Sequence, residues 1–127
     1  MLEKIPTKTI ERIFAALPFE VSFVDAEDRI AFFNEQDDKI FPRRTESIGR
    51  NVFERHPEKC LPEVHQIIEE MRAGKRESAE YWIQKDAKFL HIRYFAVRGD
   101  GREYLGVVEV VQDISRIQTL RGQKRTP

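Results

Sequence analysis

KFLHIRYFAVRGDGREYLGVVEVVQDIS, residues 88–115, is the stretch on which the fold turns. It holds two strand-length runs, residues 88–98 and 103–113, rich in β-branched and aromatic side chains, around the turn Gly99-Asp100-Gly101. A third such run, residues 77–85, precedes it and ends in a turn near Asp86. Three sequential strands joined by short turns predict an antiparallel meander. On its central strand Leu90, Ile92, Tyr94 and Ala96 share one face, and Phe89, His91, Arg93, Phe95 and Val97 share the other. Neither face is purely polar, so both are predicted to be covered at least in part. On the last strand Leu105, Val107, Glu109 and Val111 alternate with Gly106, Val108, Val110 and Gln112. If the first set points inward, Glu109 lies among apolar groups and needs a partner.

Toward the N-terminus, residues 19–25 and 29–33 are two β-rich runs around Ala26-Glu27-Asp28, the pattern of a hairpin. Ahead of them Ile10, Ile13, Phe14 and Leu17 fall at helical spacing between Pro6 and Pro18, predicting an amphipathic helix with Thr7 or Thr9 as its cap. After the hairpin, residues 34–41 suggest a short helix capped by Asn34, with Ile40 and Phe41 facing in. Residues 42–60 suggest turns and short helical pieces. Residues 61–73 form the clearest helix, with Pro62 in its first turn, Glu63 near its N-terminal dipole and Gly74 as its stop. The order β-β, helices, β-β-β gives an α+β domain with one antiparallel sheet.

Composition narrows the function. The 127 residues include 22 Lys+Arg and 22 Asp+Glu, and 40% are apolar, with nine Phe. That suits one compact domain with a real core and argues against a disordered chain. The N-terminus lacks the apolar stretch of a secretory signal, and no apolar run approaches the ~20 residues of a membrane span. A lone Cys60 forms no internal disulfide, so a reducing cytoplasm is the expected setting. Zero net charge argues against a nucleic-acid partner. The charge is unevenly placed, however. Residues 20–38 carry Arg29 against seven acidic groups, whereas the tail after Ser115 carries Arg116, Arg121, Lys124 and Arg125 with no acid. An acidic hairpin end and a basic exit helix would suit pairing within a dimer or with the rest of a longer chain.

The chain resembles a PAS domain over about residues 17–115. The hairpin VSFVDAEDRIAFFN, with Asp25, Ile30 and Asn34, resembles the opening PAS strands. Gly49-Arg50-Asn51 resembles the segment before the main helix in many PAS relatives, and Asp113-Ile114-Ser115 resembles the family's exit from its last strand. HPEKCLPEV and ESAEYWIQ…FLHIRYFAVRGDG are similar to the PAS-like C-terminal segment of bacterial and archaeal hemerythrin-like proteins of uncharacterised function. No hemerythrin domain is present, so that domain's iron chemistry does not carry over. The resemblance implies a five-stranded antiparallel sheet in the order 2-1-5-4-3, helices over a small pocket on one face, and the N-terminal amphipathic helix on the other. It implies that Leu90, Ile92, Tyr94, Val107, Glu109 and Val111 look toward the pocket. Phe23, Phe41, Phe53, His65, Ile68 and Trp82 complete the expected pocket lining. Ile13, Leu17, Phe89 and Phe95 form the expected helix-docking and dimer face.

Several chemistries can be weighed on those residues. Light-sensing PAS relatives place their flavin-adduct cysteine directly after the Gly-Arg-Asn segment, but Val52 stands there and Cys60 lies eight positions on. The covalent flavin mechanism is therefore not expected. Oxygen-sensing relatives use a histidine of the long helix as axial haem ligand, and His65 lies at a similar place, near the edge of the Val64, Ile67, Ile68 and Met71 stripe. Its alternative is a hydrogen-bonded, partly exposed histidine. His56, Cys60 and His65 match no established zinc spacing and supply three ligands only, so they stand as a weak metal alternative. Glu109 with His65 could form an acid–base pair, against a structural salt bridge of Glu109 to a helix or to Arg93. There is no phosphate loop, nucleophile elbow or zincin motif.

The expectation is thus a non-enzymatic sensory or regulatory module. Residues 1–17 would be its helix, 18–115 its PAS domain and 116–127 a basic helical tail. It would bind a small ligand or cofactor and signal through flanking helices or homodimerisation to an effector domain or partner protein, without contacting nucleic acid or membrane. The competing readings are a ligandless interaction module and a small pocket enzyme using His65 and Glu109.

Overall fold

A computed structural model describes residues 1–36, 39–55 and 61–127. Its sheet contains β1 (Glu20–Asp25), β2 (Ile30–Phe33), β3 (Ser78–Lys85), β4 (Lys88–Arg98) and β5 (Tyr104–Asp113). All neighbours are antiparallel and the order is β2-β1-β5-β4-β3. The helices are α1 (Thr7–Ala16), the single turn α2 (Val52–Arg55) and α3 (Pro62–Arg72). Among the described residues no helix is long and apolar enough to cross a membrane.

Register follows the pleat. Tyr94 stands opposite Glu109, Ile92 opposite Val111, Ser22 opposite Glu109 and Val24 opposite Val107, so these residues share one face. α3 lies over that face and buries Val64, Ile68 and Met71 there. Tyr94, Ile68 and Met71 are fully buried, each apolar side chain contributing about 1.5–3 kcal/mol. The opposite face carries Phe23, Trp82, Phe89, His91, Arg93, Phe95 and Val108. α1 docks on this outer face at the β1–β2 end, where Phe14 meets Phe32 edge-on at 5.2 Å.

Local signals explain the turns. Asp86 and Ala87 both have positive φ, 51° and 65°, as a two-residue hairpin turn between Lys85 and Lys88 requires. Asp25 Oδ1 accepts the Glu27 and Arg29 amides and tightens the β1–β2 turn. The Arg29 and Asn51 backbones bridge, and Asn51 Oδ1 accepts the Phe53 amide to start α2. At the end of β5, Ser115 Oγ accepts the Phe89 amide and donates to Asp113, locking the strand exit against β4.

Three expectations need correction, and the alternation on the last strand, left open by the sequence, is settled. Asn34 does not cap a helix: the described residues on either side of 37–38 are not helical, and its side chain is committed to α1 and β1. Neither Thr7 nor Thr9 caps α1, whose N-cap is Pro6 with no side-chain bond. The basic tail forms one 3-10 turn, Ile117–Thr119, and not a helix, because its apolar points Ile117 and Leu120 find no surface to cover. Leu105 is exposed because an irregularity at Val97/Arg98 turns it out of the inward alternation.

Candidate functional site

The buried polar groups of the inner face converge on one arginine. Glu20 begins β1 and is 2% exposed, held where its Oε1 accepts the amides of Ile40 at 2.7 Å and Phe41 at 3.3 Å. Glu109 lies at mid-β5, and its Oε1 takes a 3.4 Å contact from Ser22 Oγ across the strand pair. Arg43 enters from the connection after β2, with its side chain 8% exposed. Its Nη2 lies 3.4 Å from Glu109 and 3.9 Å from Glu20, while its Nη1 is buried without a hydrogen-bond partner. Two carboxylates therefore share one guanidinium among the described residues. Tyr94 closes the cluster from β4. Burial, reinforced by the Glu109 charge, pushes its hydroxyl well above the ordinary tyrosine range, so it stays a neutral donor beside that carboxylate. Tyr81 stacks on Tyr94 with their hydroxyls 3.5 Å apart.

Ile68, Ile92, Tyr94, Val107, Glu109 and Val111 line this inner region, with Phe41 and Phe53 packed at its margin. Phe23 does not. It pairs with Val108 on the outer face, because β1 presents Glu20, Ser22 and Val24 inward. Trp82 pairs with His91 on the outer face and is 60% exposed. His65 is exposed on α3 and meets Phe53 edge-on at 4.6 Å. A side chain in that position does not fit an axial ligand within the core, nor does it partner Glu109. His56 and Cys60 lie outside the described residues, and no group of three or more His, Cys, Asp or Glu suited to a metal occurs among the described ones.

A second feature of the sheet supports the N-terminal helix. Asn34 is buried; its Oδ1 accepts the Val21 amide and its Nδ2 donates to the Phe14 and Phe19 carbonyls, each at 2.8–2.9 Å. Gln36 donates to the Ala15 and Leu17 carbonyls. The Ala15 and Leu17 carbonyls taken by Gln36 lie at the C-terminus of α1, where intrahelical donors run out, while the Phe14 carbonyl held by Asn34 also accepts the Leu17 amide. The segment that holds α1 outside thus continues to Ile40, Phe41 and Arg43 at the inner cluster.

The PAS domain family model matches residues 10–115. This chain belongs to the PAS domain family. It is 32% identical to a C-terminal domain from Streptococcus mutans, with a TM-score of 0.83 over 92% of this chain and 91% of that one. The PAS domain of a Colwellia psychrerythraea protein shares the fold at 14% identity, covering 86% of this chain and 97% of its own, with a TM-score of 0.59. So does a sensory box sensor histidine kinase from Vibrio cholerae, at 15% identity, 85% and 91% coverage and a TM-score of 0.60. Among curated proteins none matches.

Within the PAS frame the Gly49-Arg50-Asn51 segment lies against the start of β2, where the Ile30 amide donates to the Arg50 carbonyl. Val52, which follows it, is 1% exposed and part of the core. Reading the sequence located Glu109 but missed Glu20 and Arg43. Glu20 could have been found by laying β1 against β5, since inward positions alternate from Val24. Arg43 follows Pro42 in an aperiodic connection, and no local pattern marks it.

Proposed function

We propose that this PAS domain is a sensory module that responds to a small ligand at the Glu20–Arg43–Glu109 cluster. The observation that carries the reading is the cluster itself. Charged groups beneath a sheet are costly unless well paired, and the buried Arg43 guanidinium leaves its Nη1 without a hydrogen-bond partner. A ligand that binds one packing of the 39–44 connection better than another would shift the domain between them. The same connection leads back to Gln36 and Asn34, which hold α1, so α1 is the outlet this reading favours. The occurrence of the fold in a sensor histidine kinase supports a signalling rather than a catalytic role. Similarity of residues 56–64 and 77–101 to the C-terminal segment of hemerythrin-like proteins favours an effector elsewhere in a longer chain, acting in the cytoplasm. Absorbance spectra and native mass spectrometry of protein purified from its source test the reading. A bound small-molecule mass that is lost in Glu109→Gln supports it, and a bare mass with a colourless spectrum counts against it.

The outer face favours a second reading, homodimerisation. Trp82 is 60% and Phe95 38% exposed on the sheet, beside Phe89, and Ile13 is 48% exposed on α1. Large apolar groups rimmed by the His91–Glu80 pair make a surface suited to a second copy. The two readings are compatible, since ligand-dependent movement of α1 would alter that surface.

A further inference from the structure

The two edges of the sheet are finished differently. β2 is four residues long, and its register against β1 shifts between Phe23 and Val24. Its free side is taken up: the Ile30 amide donates to the Arg50 carbonyl, the Gly49 amide donates to the Ile30 carbonyl, and Arg29 bridges Asn51. Short, irregular and covered edge strands are how a sheet avoids pairing with other chains. β3 has none of the three. It is eight residues long, runs against β4 in unbroken register, contains no proline and carries Tyr81-Trp82-Ile83 at its centre. No described residue pairs with its free side.

The ladder itself says which backbone groups are open. The Ala96 amide donates to the Glu77 carbonyl, and Lys85 faces Lys88 across a two-residue turn, so the odd-numbered residues bond to β4. Ser78, Glu80, Trp82 and Gln84 therefore point their N–H and C=O away from it, and all four are exposed. An antiparallel copy of the same strand pairs with these groups only where even-numbered residues face each other. Centring such a pairing on Glu80 sets that acid against itself. Centring it on Trp82 sets Arg76 against Lys88, and centring it on Ile83 sets Glu80 against Asp86. Centring it on Tyr81 opposes no like charges. That register sets Glu77 against Lys85 and Arg76 against Asp86, each twice by symmetry, with Ala79 against Ile83.

We infer that the free edge of β3 is a strand-pairing surface for a second copy of this chain, joined antiparallel about a two-fold axis at Tyr81 so that two five-stranded sheets become one. Backbone bonds supply the affinity, about eight from four facing pairs, and the charge pattern supplies the register. This surface is separate from the outer face of the sheet, which it leaves uncovered on both copies, and it does not depend on a ligand in the core.

Residue-resolved hydrogen exchange of the full chain at low micromolar and at millimolar concentration, with light scattering alongside, decides it. On association the amides of Ser78, Glu80, Trp82 and Gln84 should slow by about tenfold or more, while those of Ala79, Tyr81 and Ile83, already bonded to β4, change little. Glu80→Pro removes an edge N–H without touching the β4 ladder and should abolish association. Lys85→Glu sets two acids against each other at both ends of the pairing and should weaken association about threefold or more. The inference is overturned if the chain stays monomeric at millimolar concentration, if it associates while those four amides still exchange freely, or if either variant associates as tightly as wild type. Association with the four amides still free would overturn the edge pairing and leave the outer face as the self-association surface. Should Glu80→Pro not fold, the wild-type amide pattern and Lys85→Glu still decide between these outcomes.

Discussion

Arg43 Nη2 meets Glu109 Oε1 at 3.4 Å across 66 positions of sequence, inside the core and between the β2 connection and the middle of β5. Glu20 completes the arrangement from β1. Removing the cation leaves two buried carboxylates without it, so Arg43→Met should destabilise the fold by about 3–5 kcal/mol. Adding Glu109→Gln should restore part of that loss, because one of the two charges is then absent. Urea unfolding of the single and double variants, read as a midpoint change at constant m, measures both effects. Equal stability of Arg43→Met and wild type would mean that the guanidinium contributes nothing to the core.

Asn34 should be the residue on which α1 depends. Its side chain serves the Val21 amide and the Phe14 and Phe19 carbonyls, three groups that Ala cannot reach. Leaving buried partners unsatisfied costs about 1–3 kcal/mol. Asn34→Ala should therefore lower stability by that amount and speed hydrogen exchange in residues 7–16 relative to β4. Unchanged exchange in α1 would show that Phe14–Phe32 packing alone holds the helix.

Most of the sheet could be read directly from sequence. Residues 88–98 and 103–113 alternate cleanly around a glycine-rich turn; that period sorted the two faces, and the PAS resemblance put Ile92, Tyr94, Val107 and Val111 on the inner one. What escaped depended on pairing between distant segments. Phe23 and Val24 are both apolar, so periodicity in β1 does not say which faces inward; only the register against Val107 and Val108 does. Trp82 reads as a core aromatic by type, yet its pairing with His91 puts it outside. Asn34 precedes a plausible helix, but three backbone groups elsewhere claim its side chain. Arg43 answers a need for charge created by two strands that lie far from it in sequence.

Gly106 should tolerate no side chain. Its φ is +146°, and a Cβ there would lie 2.2 Å from the Val24 carbonyl oxygen and 2.7 Å from the Phe23 ring. The neighbouring atom is backbone in a central strand pair, so it cannot step aside cheaply. Gly106→Ala should cost more than about 3 kcal/mol, combining strain with steric overlap. A midpoint in urea within error of wild type would mean that β1 and β5 separate there more easily than their pairing suggests.

Alkaline stability should report Tyr94. Burial raises its folded-state pKa above the unfolded value of about 10, so below that pH both states keep the proton and stability is unaffected. As pH rises past about 10 the unfolded chain loses the proton first, and stability falls by up to about 1.4 kcal/mol per pH unit for this group. Tyr94→Phe should remove that contribution and flatten the decline; Tyr104, also raised chiefly by burial, accounts for part of what remains. An identical alkaline slope in the variant would place the Tyr94 hydroxyl in contact with water.

Trp82 supplies the test of self-association, because it is the single tryptophan of the chain and stands 60% exposed on the outer face. In a monomer its indole would remain in water. In a dimer built on this face, with Phe95, whose ring lies 5.7 Å from the Arg93 guanidinium, and with Ile13 of α1, it would be desolvated. Emission should then shift to the red on dilution, following the mass reported by light scattering. Trp82→Ser should weaken association by about tenfold or more, since an aromatic anchor at the centre of an interface is worth about 2 kcal/mol or more. It should leave the urea midpoint of the monomer within about 0.5 kcal/mol, because an exposed side chain contributes little to the fold. A wild-type chain that stays monomeric at micromolar concentration, with concentration-independent emission, would rule out this face as a self-association surface.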